Sequence, residues 1–126
     1  MSNATLHQGG GLDGQVVLIV QRSWVVATAL ANSFEEKGAS AVLAKVPVPD
    51  LAGIPNLCAA VVDGQSRELC RLLEARGIPF VLYTARNQIE ADDAGAPIVL
   101  KPAPAAEVVA RVESLLGGRE RENPRA

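Results

Sequence analysis

The sequence has few aromatic residues and few cysteines. Only 3% of its 126 residues are aromatic, and it contains two cysteines and one histidine. Cys58 lies in an apolar run and Cys70 in a helical pattern, without the spacing of metal ligands. We expect both to be free, buried thiols, as in a protein of the reducing cytoplasm. The fold is therefore expected to form without disulfides.

Long apolar runs and an excess of one charge are also missing. No stretch approaches the roughly 20 apolar residues of a membrane span, and no signal-peptide pattern opens the chain. The net charge is -2, and Lys and Arg form no cluster, which argues against nucleic-acid binding by this domain. We predict neither a membrane nor a nucleic-acid partner.

The residues that are present describe one compact domain. Hydrophobic residues make up 48% of the chain and charged residues 21%, enough for a core of Ala, Val and Leu. Residues 1–14, with a Gly triplet, are predicted to be an unstructured lead or tag. Residues 15–117 form the predicted domain, and 118–126 a polar tail.

Short apolar runs alternate with helical patterns along the domain. The runs are QVVLIV (15–20), AVLA (41–44), LCAAVV (57–62), IPFVLY (78–83) and PIVL (97–100), all typical of buried parallel strands. Helices are predicted over 24–37, from Ser66 to Gly77, and from Pro104 to Gly117. The proline-rich segment 46–56 and the polar segment 85–96 predict short or absent helices after strands 2 and 4.

This alternation predicts an α/β fold, a three-layer doubly wound flavodoxin-like sandwich. Its five-stranded parallel sheet is expected in the order 2-1-3-4-5, with helices on both faces. The ligand crevice of such a sheet lies at the carboxyl ends of its strands. Those ends carry Gln21, Arg22, Asp63, Thr84 and Lys101.

Three of these positions resemble the receiver domain of two-component response regulators, the CheY-like superfamily. They are the strand-end Asp63, the strand-end Thr84 followed by the small Ala85, and Lys101-Pro102, and the resemblance spans about 15–117. It implies that Asp63 accepts a phosphoryl group from a histidine kinase, that the Thr84 hydroxyl contacts the phosphoryl oxygens, and that Lys101 pairs with both. It also implies a cis bond before Pro102.

The resemblance further implies a role in signal transduction and not as an enzyme. The expected partner is a histidine kinase or another signalling protein, and a homodimer is a further possibility. Receiver domains use Mg²⁺, held partly by an acidic pair just after the first strand. Here Gln21 and Arg22 stand at those positions.

This departure changes what the site is expected to do. Gln21 could offer one amide oxygen, whereas Arg22 has no acceptor and adds a positive charge. We therefore predict weak Mg²⁺ binding or none at Asp63, no other cofactor, and impaired phosphorylation of Asp63. We also hypothesise that Arg22 replaces the metal as the cation beside Asp63. Ile98 stands where the family usually has an aromatic switch residue.

Other interpretations stay open. Singly, a strand-end Asp is more often a turn former, a Thr such as Thr84 an ordinary strand residue, and a Lys such as Lys101 a solvated charge. A pseudo-receiver, binding a partner regardless of phosphorylation, fits every departure. A phosphatase or nucleotide-binding enzyme would need a Gly-rich loop or a Cys-Arg cradle after strand 1, and residues 20–23 have neither.

Overall fold

The computed structural model describes residues 12–44, 46, 48–64, 66–85 and 97–122. Its strands are β1 (Val16–Val20), β2 (Ser40–Leu43), β3 (Leu57–Val62), β4 (Phe80–Thr84) and β5 (Ile98–Leu100). Its helices are α1 (Trp24–Glu36), α2 (Arg67–Ala75) and α3 (Ala105–Glu122), with a single 3₁₀ turn at Leu51–Gly53.

Within the described residues, the five strands form one sheet in the order β2-β1-β3-β4-β5, which confirms the predicted topology. Every neighbouring pair is parallel. The carboxyl ends of the strands therefore share one edge of the sheet, called here the carboxyl edge. Beyond the ladder itself, the amide of Asp63 donates to the carbonyl of Val20 at 2.9 Å, which joins the ends of β3 and β1 at this edge.

The sheet separates two apolar clusters, as a three-layer fold requires. On one face, α1 and α3 pack on β1, β3, β4 and β5 through fully buried residues such as Phe34 and Val108. On the other face, Leu69 and Leu73 of α2 pack with Leu51 of the 3₁₀ turn against the alternate strand residues. Both faces of the central strands are thus covered, which explains their continuous apolar sequences.

The ends of the first two helices match the sequence at three of four positions, and the start of α2 differs. The Ser23 side chain accepts a hydrogen bond from the Val26 amide at 3.3 Å, which caps α1. Gly38 (φ +91°) and Gly77 (φ +71°) follow the helices in the left-handed region, which glycine adopts without a Cβ penalty. Ser66 stands at the N-cap position of α2, but its side chain makes no capping bond.

The predicted start of the domain was wrong for residues 12–14. Leu12 is fully buried and belongs to the cluster beneath α1 and α3. Its carbonyl accepts from the Gln15 amide at 2.9 Å, and the Gly14 amide donates to the Gly38 carbonyl at 3.0 Å. Burying a leucine side chain stabilises a fold by about 1.5–3 kcal/mol. The folded part of the chain therefore begins by Leu12, and residues 1–11 lie outside the described residues.

The predicted end of the last helix was also wrong. We expected α3 to end at Gly117, but its backbone continues to Glu122. A C-terminal glycine ends a helix by adopting positive φ, and Gly117 does not do so. The Arg and Glu residues that follow are good helix formers, which offsets the roughly 1 kcal/mol cost of each internal glycine.

The two predicted short connections have different outcomes. Between β2 and β3, the described residues 44, 46 and 48–56 contain the one 3₁₀ turn, with Asp50 as its N-cap, and no long helix. After β4, residues 86–96 lie outside the described residues, so the expectation of a short or absent helix there stays a prediction. No helix in the described part of the chain is both long and apolar enough to span a membrane.

Candidate functional site

Asp63 lies at the carboxyl edge directly after β3, and its carboxylate is held by backbone amides. The side chain is almost fully buried, with the residue only 4% exposed. Its Oδ2 accepts from the Arg22 amide at 2.9 Å, and its Oδ1 accepts from the Gly64 amide at 3.0 Å. Hydrogen bonds to a carboxylate are charge-assisted and stronger than neutral ones. Both oxygens are therefore fixed by the chain itself.

Two cationic side chains approach the same carboxylate from opposite sides. Lys101 Nζ lies 3.5 Å from Oδ1, and Arg22 Nε lies 3.9 Å from Oδ2. The Arg22 guanidinium also donates from Nη2 to the Gly64 carbonyl at 3.0 Å, which ties it to the loop after β3. The Arg22 side chain is 56% exposed and that of Lys101 25% exposed. The buried carboxylate of Asp63 thus lies between two partly solvated cations.

Thr84 is the last residue of β4 and is joined to Lys101 through the backbone. The Lys101 amide donates to the Thr84 carbonyl at 2.9 Å, so the two residues are neighbours at the carboxyl edge. The Thr84 residue is fully buried, and its hydroxyl donates to the Ala85 carbonyl at 3.5 Å. The peptide bond between Lys101 and Pro102 is cis, as expected.

Gln21 reaches across the end of β3 and meets β4. Its Nε2 donates to the Tyr83 carbonyl at 3.5 Å, and the residue is 7% exposed. Its Oε1 is buried and makes no hydrogen bond to any described residue. A buried amide oxygen without a donor is costly, by about 1–3 kcal/mol. Gln21 is therefore buried at the carboxyl edge, where it makes one long hydrogen bond to β4.

Tyr83 supports Lys101 from beneath. Lys101 Nζ lies 5.4 Å from the centroid of the Tyr83 ring, within the range of a cation–π contact. The Tyr83 hydroxyl donates to the Ala103 carbonyl, beyond the cis peptide bond. Burial, with a smaller contribution from the nearby Glu107 carboxylate, raises the pKa of Tyr83 above 10.0. Tyr83 thus joins the end of β4 to the segment between β5 and α3.

The residues at this edge do not fit a magnesium site. Mg²⁺ requires oxygen ligands in octahedral geometry, usually including carboxylates. Of the residues that the structure describes, Asp63 is the one buried carboxylate, and both its oxygens already contact cations or amides. Arg22 brings a positive charge where the metal would need an anion. Among the described residues, no group of three His, Cys, Asp or Glu side chains could hold a metal ion.

The sequence predicted five residues at one edge of the sheet, and the structure places all five there: Gln21, Arg22, Asp63, Thr84 and Lys101. The prediction missed the backbone amides that fix the carboxylate and the reach of Gln21 to β4. It also missed Tyr83, which was read only as an apolar strand residue. The alternation of β4 places Tyr83 on the opposite face of the sheet from Thr84, but nothing in the sequence indicated that its ring would lie under Lys101.

The comparisons with known proteins rest on structure alone. Neither a family model nor a curated protein matches the chain. The receiver domain of Francisella response regulator 1452 matches with a TM-score of 0.66 and 22% identity, over 85% of this chain and 99% of that one. A CheY-like receiver domain protein from Methanospirillum hungatei matches with a TM-score of 0.71 and 17% identity, over 85% of this chain and 98% of that one.

A third solved structure is the signal receiver domain of a signal transduction histidine kinase from Syntrophus aciditrophicus. It matches with a TM-score of 0.68 and 24% identity, over 83% of this chain and 92% of that one. These proteins share the parallel sheet and its flanking helices across nearly their whole length. The chain therefore has the CheY-like, flavodoxin-like fold of response-regulator receiver domains.

Proposed function

We propose that this domain is an atypical response-regulator receiver of two-component signal transduction, with Asp63 at the phosphoacceptor position and with impaired phosphorylation. The observation that carries the proposal is the state of the Asp63 carboxylate. Both of its oxygens accept backbone hydrogen bonds, and each also faces a side-chain cation. The fold shared with receiver domains supports the signalling role, and the free thiols of Cys58 and Cys70 suit the cytoplasm.

Phosphorylation would proceed by attack of an Asp63 oxygen on the phosphorus of a phosphodonor. A new O–P bond forms while the bond from phosphorus to the donor's nitrogen or oxygen breaks, and the electron pair leaves with the donor. Lys101, 3.5 Å from Oδ1, would neutralise part of the charge on the phosphoryl oxygens. Thr84 would supply a hydroxyl after moving, because it is fully buried in this conformation.

Arg22 is the reason to expect impairment. Its guanidinium is a single positive charge, anchored to the Gly64 carbonyl, and it cannot accept a phosphoryl oxygen into a coordination shell as a divalent metal does. Either oxygen that attacks already accepts a hydrogen bond from the Arg22 or the Gly64 amide, which lowers its nucleophilicity. The chain's own groups thus stabilise the unphosphorylated carboxylate.

The same observation favours a second function, a pseudo-receiver that binds a signalling partner regardless of phosphorylation. With Arg22 and Lys101 already paired with Asp63, the negative charge of the carboxylate is neutralised without a metal ion. In this case, the domain would hold one conformation and present a fixed surface. Its partner would be a histidine kinase or another signalling protein.

The two functions are separated by incubation with acetyl phosphate and Mg²⁺, followed by intact-mass measurement. Impaired phosphorylation predicts a slow, partial gain of about 80 Da, the mass of HPO₃, that is lost in Asp63→Ala. Asp50→Ala is the matched control, because Asp50 is an aspartate that caps the 3₁₀ turn and not this site. That variant should be labelled like the original protein.

Each other outcome has a definite meaning. A complete absence of labelling, in a preparation that is folded by circular dichroism, favours the pseudo-receiver. Labelling that persists in Asp63→Ala would show that Asp63 is not the acceptor. Rapid and complete labelling of the unmodified protein would contradict the impairment attributed to Arg22.

A further inference from the structure

The side chains of Asp63, Tyr83 and Lys101 come from three neighbouring strands and share one face of the sheet. Asp63 follows β3, Tyr83 lies in β4, and Lys101 follows β5. Val61 and Val99 belong, with Tyr83, to the apolar cluster beneath α1 and α3. Because the side chains of a strand alternate between its two faces, Asp63 and Lys101, each two residues later, lie on the same side.

The Lys101 side chain must cross β4 to reach Asp63. In the sheet, β4 lies between β3 and β5, and neighbouring strands are about 4.8 Å apart. The residue of β4 beneath the crossing lysine is Tyr83. Lys101 Nζ lies 5.4 Å from the centroid of the Tyr83 ring and 3.5 Å from Asp63 Oδ1. The side chain at position 83 therefore determines what supports the lysine along its path.

The Tyr83 ring is a fixed support. The residue is 6% exposed and packs in the cluster beneath α1 and α3. Its hydroxyl donates to the Ala103 carbonyl, and its own carbonyl accepts from Gln21 Nε2 at 3.5 Å. The packing and the hydroxyl's hydrogen bond together hold the ring beneath the Lys101 ammonium group.

The same hydroxyl fixes the backbone that carries Lys101. The Lys101 amide donates to the Thr84 carbonyl at 2.9 Å, and the Ala103 amide donates to the Leu100 carbonyl at 3.1 Å. The Ala103 carbonyl, two residues after Lys101, accepts from the Tyr83 hydroxyl. Tyr83 thus acts on Lys101 in two ways, because its ring faces the ammonium group and its hydroxyl holds the segment that follows.

We propose that Tyr83 is the positioning residue for Lys101 and places the ammonium group at Asp63 Oδ1. A cation over the face of an aromatic ring is attracted by the ring itself. The ring therefore holds the ammonium group in place independently of the charge on Asp63. The effect of Tyr83 on phosphorylation rests on the proposed function, whereas its effect on the location of Lys101 does not.

Nuclear magnetic resonance of the lysine side chains tests the location of Lys101. The chain has three lysines, Lys37, Lys45 and Lys101, and protons over the face of an aromatic ring resonate upfield. The ε-protons of Lys101 should therefore lie upfield of those of the exposed Lys37. Tyr83→Leu should abolish this upfield shift, and Tyr83→Phe should keep it, since the ring remains.

Two further variants separate positioning from a merely structural role. Phe80→Leu is the matched control, because it removes a buried ring from the same strand, and Phe80 packs in the cluster on the other face of the sheet. It should leave the Lys101 signals unchanged. In Asp63→Ala the upfield shift should persist, because the ring and not the carboxylate holds the ammonium group.

Three results would overturn the proposal. They are the absence of an upfield shift in the unmodified protein, its loss in Asp63→Ala, and an equal loss in Phe80→Leu and Tyr83→Leu. The Asp63→Ala result decides the proposal even if Tyr83→Leu does not fold, since that variant keeps the core intact.

The consequence for phosphorylation is measured by labelling with acetyl phosphate and Mg²⁺. Tyr83→Leu should be labelled about tenfold more slowly than the unmodified protein, because Lys101 no longer meets the phosphoryl oxygens. Tyr83→Phe should show an intermediate rate, since the ring stays while Ala103 is released. Unchanged labelling of Tyr83→Leu would overturn the role of Tyr83 in phosphorylation. If the unmodified protein is not labelled at all, the proposed phosphoacceptor function fails, and the lysine signals still decide the positioning of Lys101.

Discussion

The two sides of the Asp63 carboxylate differ in origin and in chemistry. On the side of Oδ1, Lys101 from the end of β5 presents an ammonium group as a receiver domain would. On the side of Oδ2, Arg22 from the end of β1 presents a guanidinium, while the side chain of the neighbouring Gln21 reaches to the Tyr83 carbonyl of β4. The first side presents a cation to the carboxylate, and on the second side Arg22 offers no oxygen ligand to a metal ion.

Under the proposed function, this difference lets the site keep its geometry without a metal ion. Asp63 remains buried at the carboxyl edge, because its backbone hydrogen bonds come from the ends of β1 and β3 and do not depend on metal. In the proposed function, Arg22 takes the place of the metal ion as a second cation beside Asp63.

The largest expected effect comes from restoring the acidic side. In Gln21→Asp/Arg22→Asp, carboxylates replace the amide and the guanidinium, so Mg²⁺ can bind with Asp63. Labelling by acetyl phosphate in the presence of Mg²⁺ should rise about 100-fold, which corresponds to about 2.7 kcal/mol in the barrier. Intact-mass kinetics measure it, with the same double change in Asp63→Ala as control. No increase, in a folded variant, would show that Arg22 is not what impairs the site.

The next effect is the change in the free energy of unfolding when Asp63 loses its charge. The sign of this change distinguishes a paired carboxylate from one that is repelled by other carboxylates. In a cluster of carboxylates, removing one charge relieves repulsion and stabilises the fold. Here Asp63 is surrounded by donors and cations, so Asp63→Asn should lower the free energy of unfolding by about 1–3 kcal/mol. Urea denaturation measures this, and Asp50→Asn, which keeps a good N-cap residue, should change little. A more stable Asp63→Asn variant would contradict the ion pairing described.

A smaller effect compares the two cations directly. Lys101 is the more buried and also contacts the Tyr83 ring, so Lys101→Met should cost about 1 kcal/mol. Arg22→Met should cost only about 0.5 kcal/mol, because an ion pair of an exposed side chain contributes little. Urea denaturation of both variants in parallel gives the order. A larger loss in the free energy of unfolding for Arg22→Met than for Lys101→Met would mean that the Arg22 ion pair contributes more to stability than the Lys101 ion pair.

The smallest effect appears at alkaline pH, on the Lys101 side. Because the pKa of Tyr83 is raised by burial and Glu107, the folded state holds the phenol proton more tightly than the unfolded chain does. The free energy of unfolding should therefore fall as the pH rises from 10.0, the ordinary tyrosine value, through the folded pKa. Tyr83→Phe should lose this decline. As Tyr83 is the sole tyrosine, tyrosinate absorbance reports its titration, and a midpoint below 10.0 would contradict the assignment.

Much of this edge was predictable because a buried parallel strand has a short, continuous apolar sequence whose end is easy to locate. The run LCAAVV predicted β3 with its exact bounds, since both faces of that strand are covered and every residue is apolar. Once the strand ends were known, the order 2-1-3-4-5 placed Asp63, Thr84 and Lys101 together. The substitution of Gln21 and Arg22 for acidic residues was equally visible.

What could not be predicted depends on tertiary contacts. Leu12 is buried because the turn over Leu12–Gln15 returns it to the core, and a single Leu after a Gly triplet gives no periodic signal. The helix α3 continues past Gly117 because the Arg and Glu residues that follow are good helix formers, so the glycine alone did not indicate where the helix ends. The contact of Tyr83 with Lys101 depends on the path of the chain between β5 and α3, which no local pattern determines.

The central claim is that Arg22 replaces the divalent metal at Asp63. Titration with Mg²⁺, followed by the fluorescence of Trp24, tests it most directly, because Trp24 lies two residues after Arg22 and is the sole tryptophan. The unmodified protein should show no saturable change, whereas Gln21→Asp/Arg22→Asp should saturate in the millimolar range. A saturable low-millimolar response of the unmodified protein would contradict the claim.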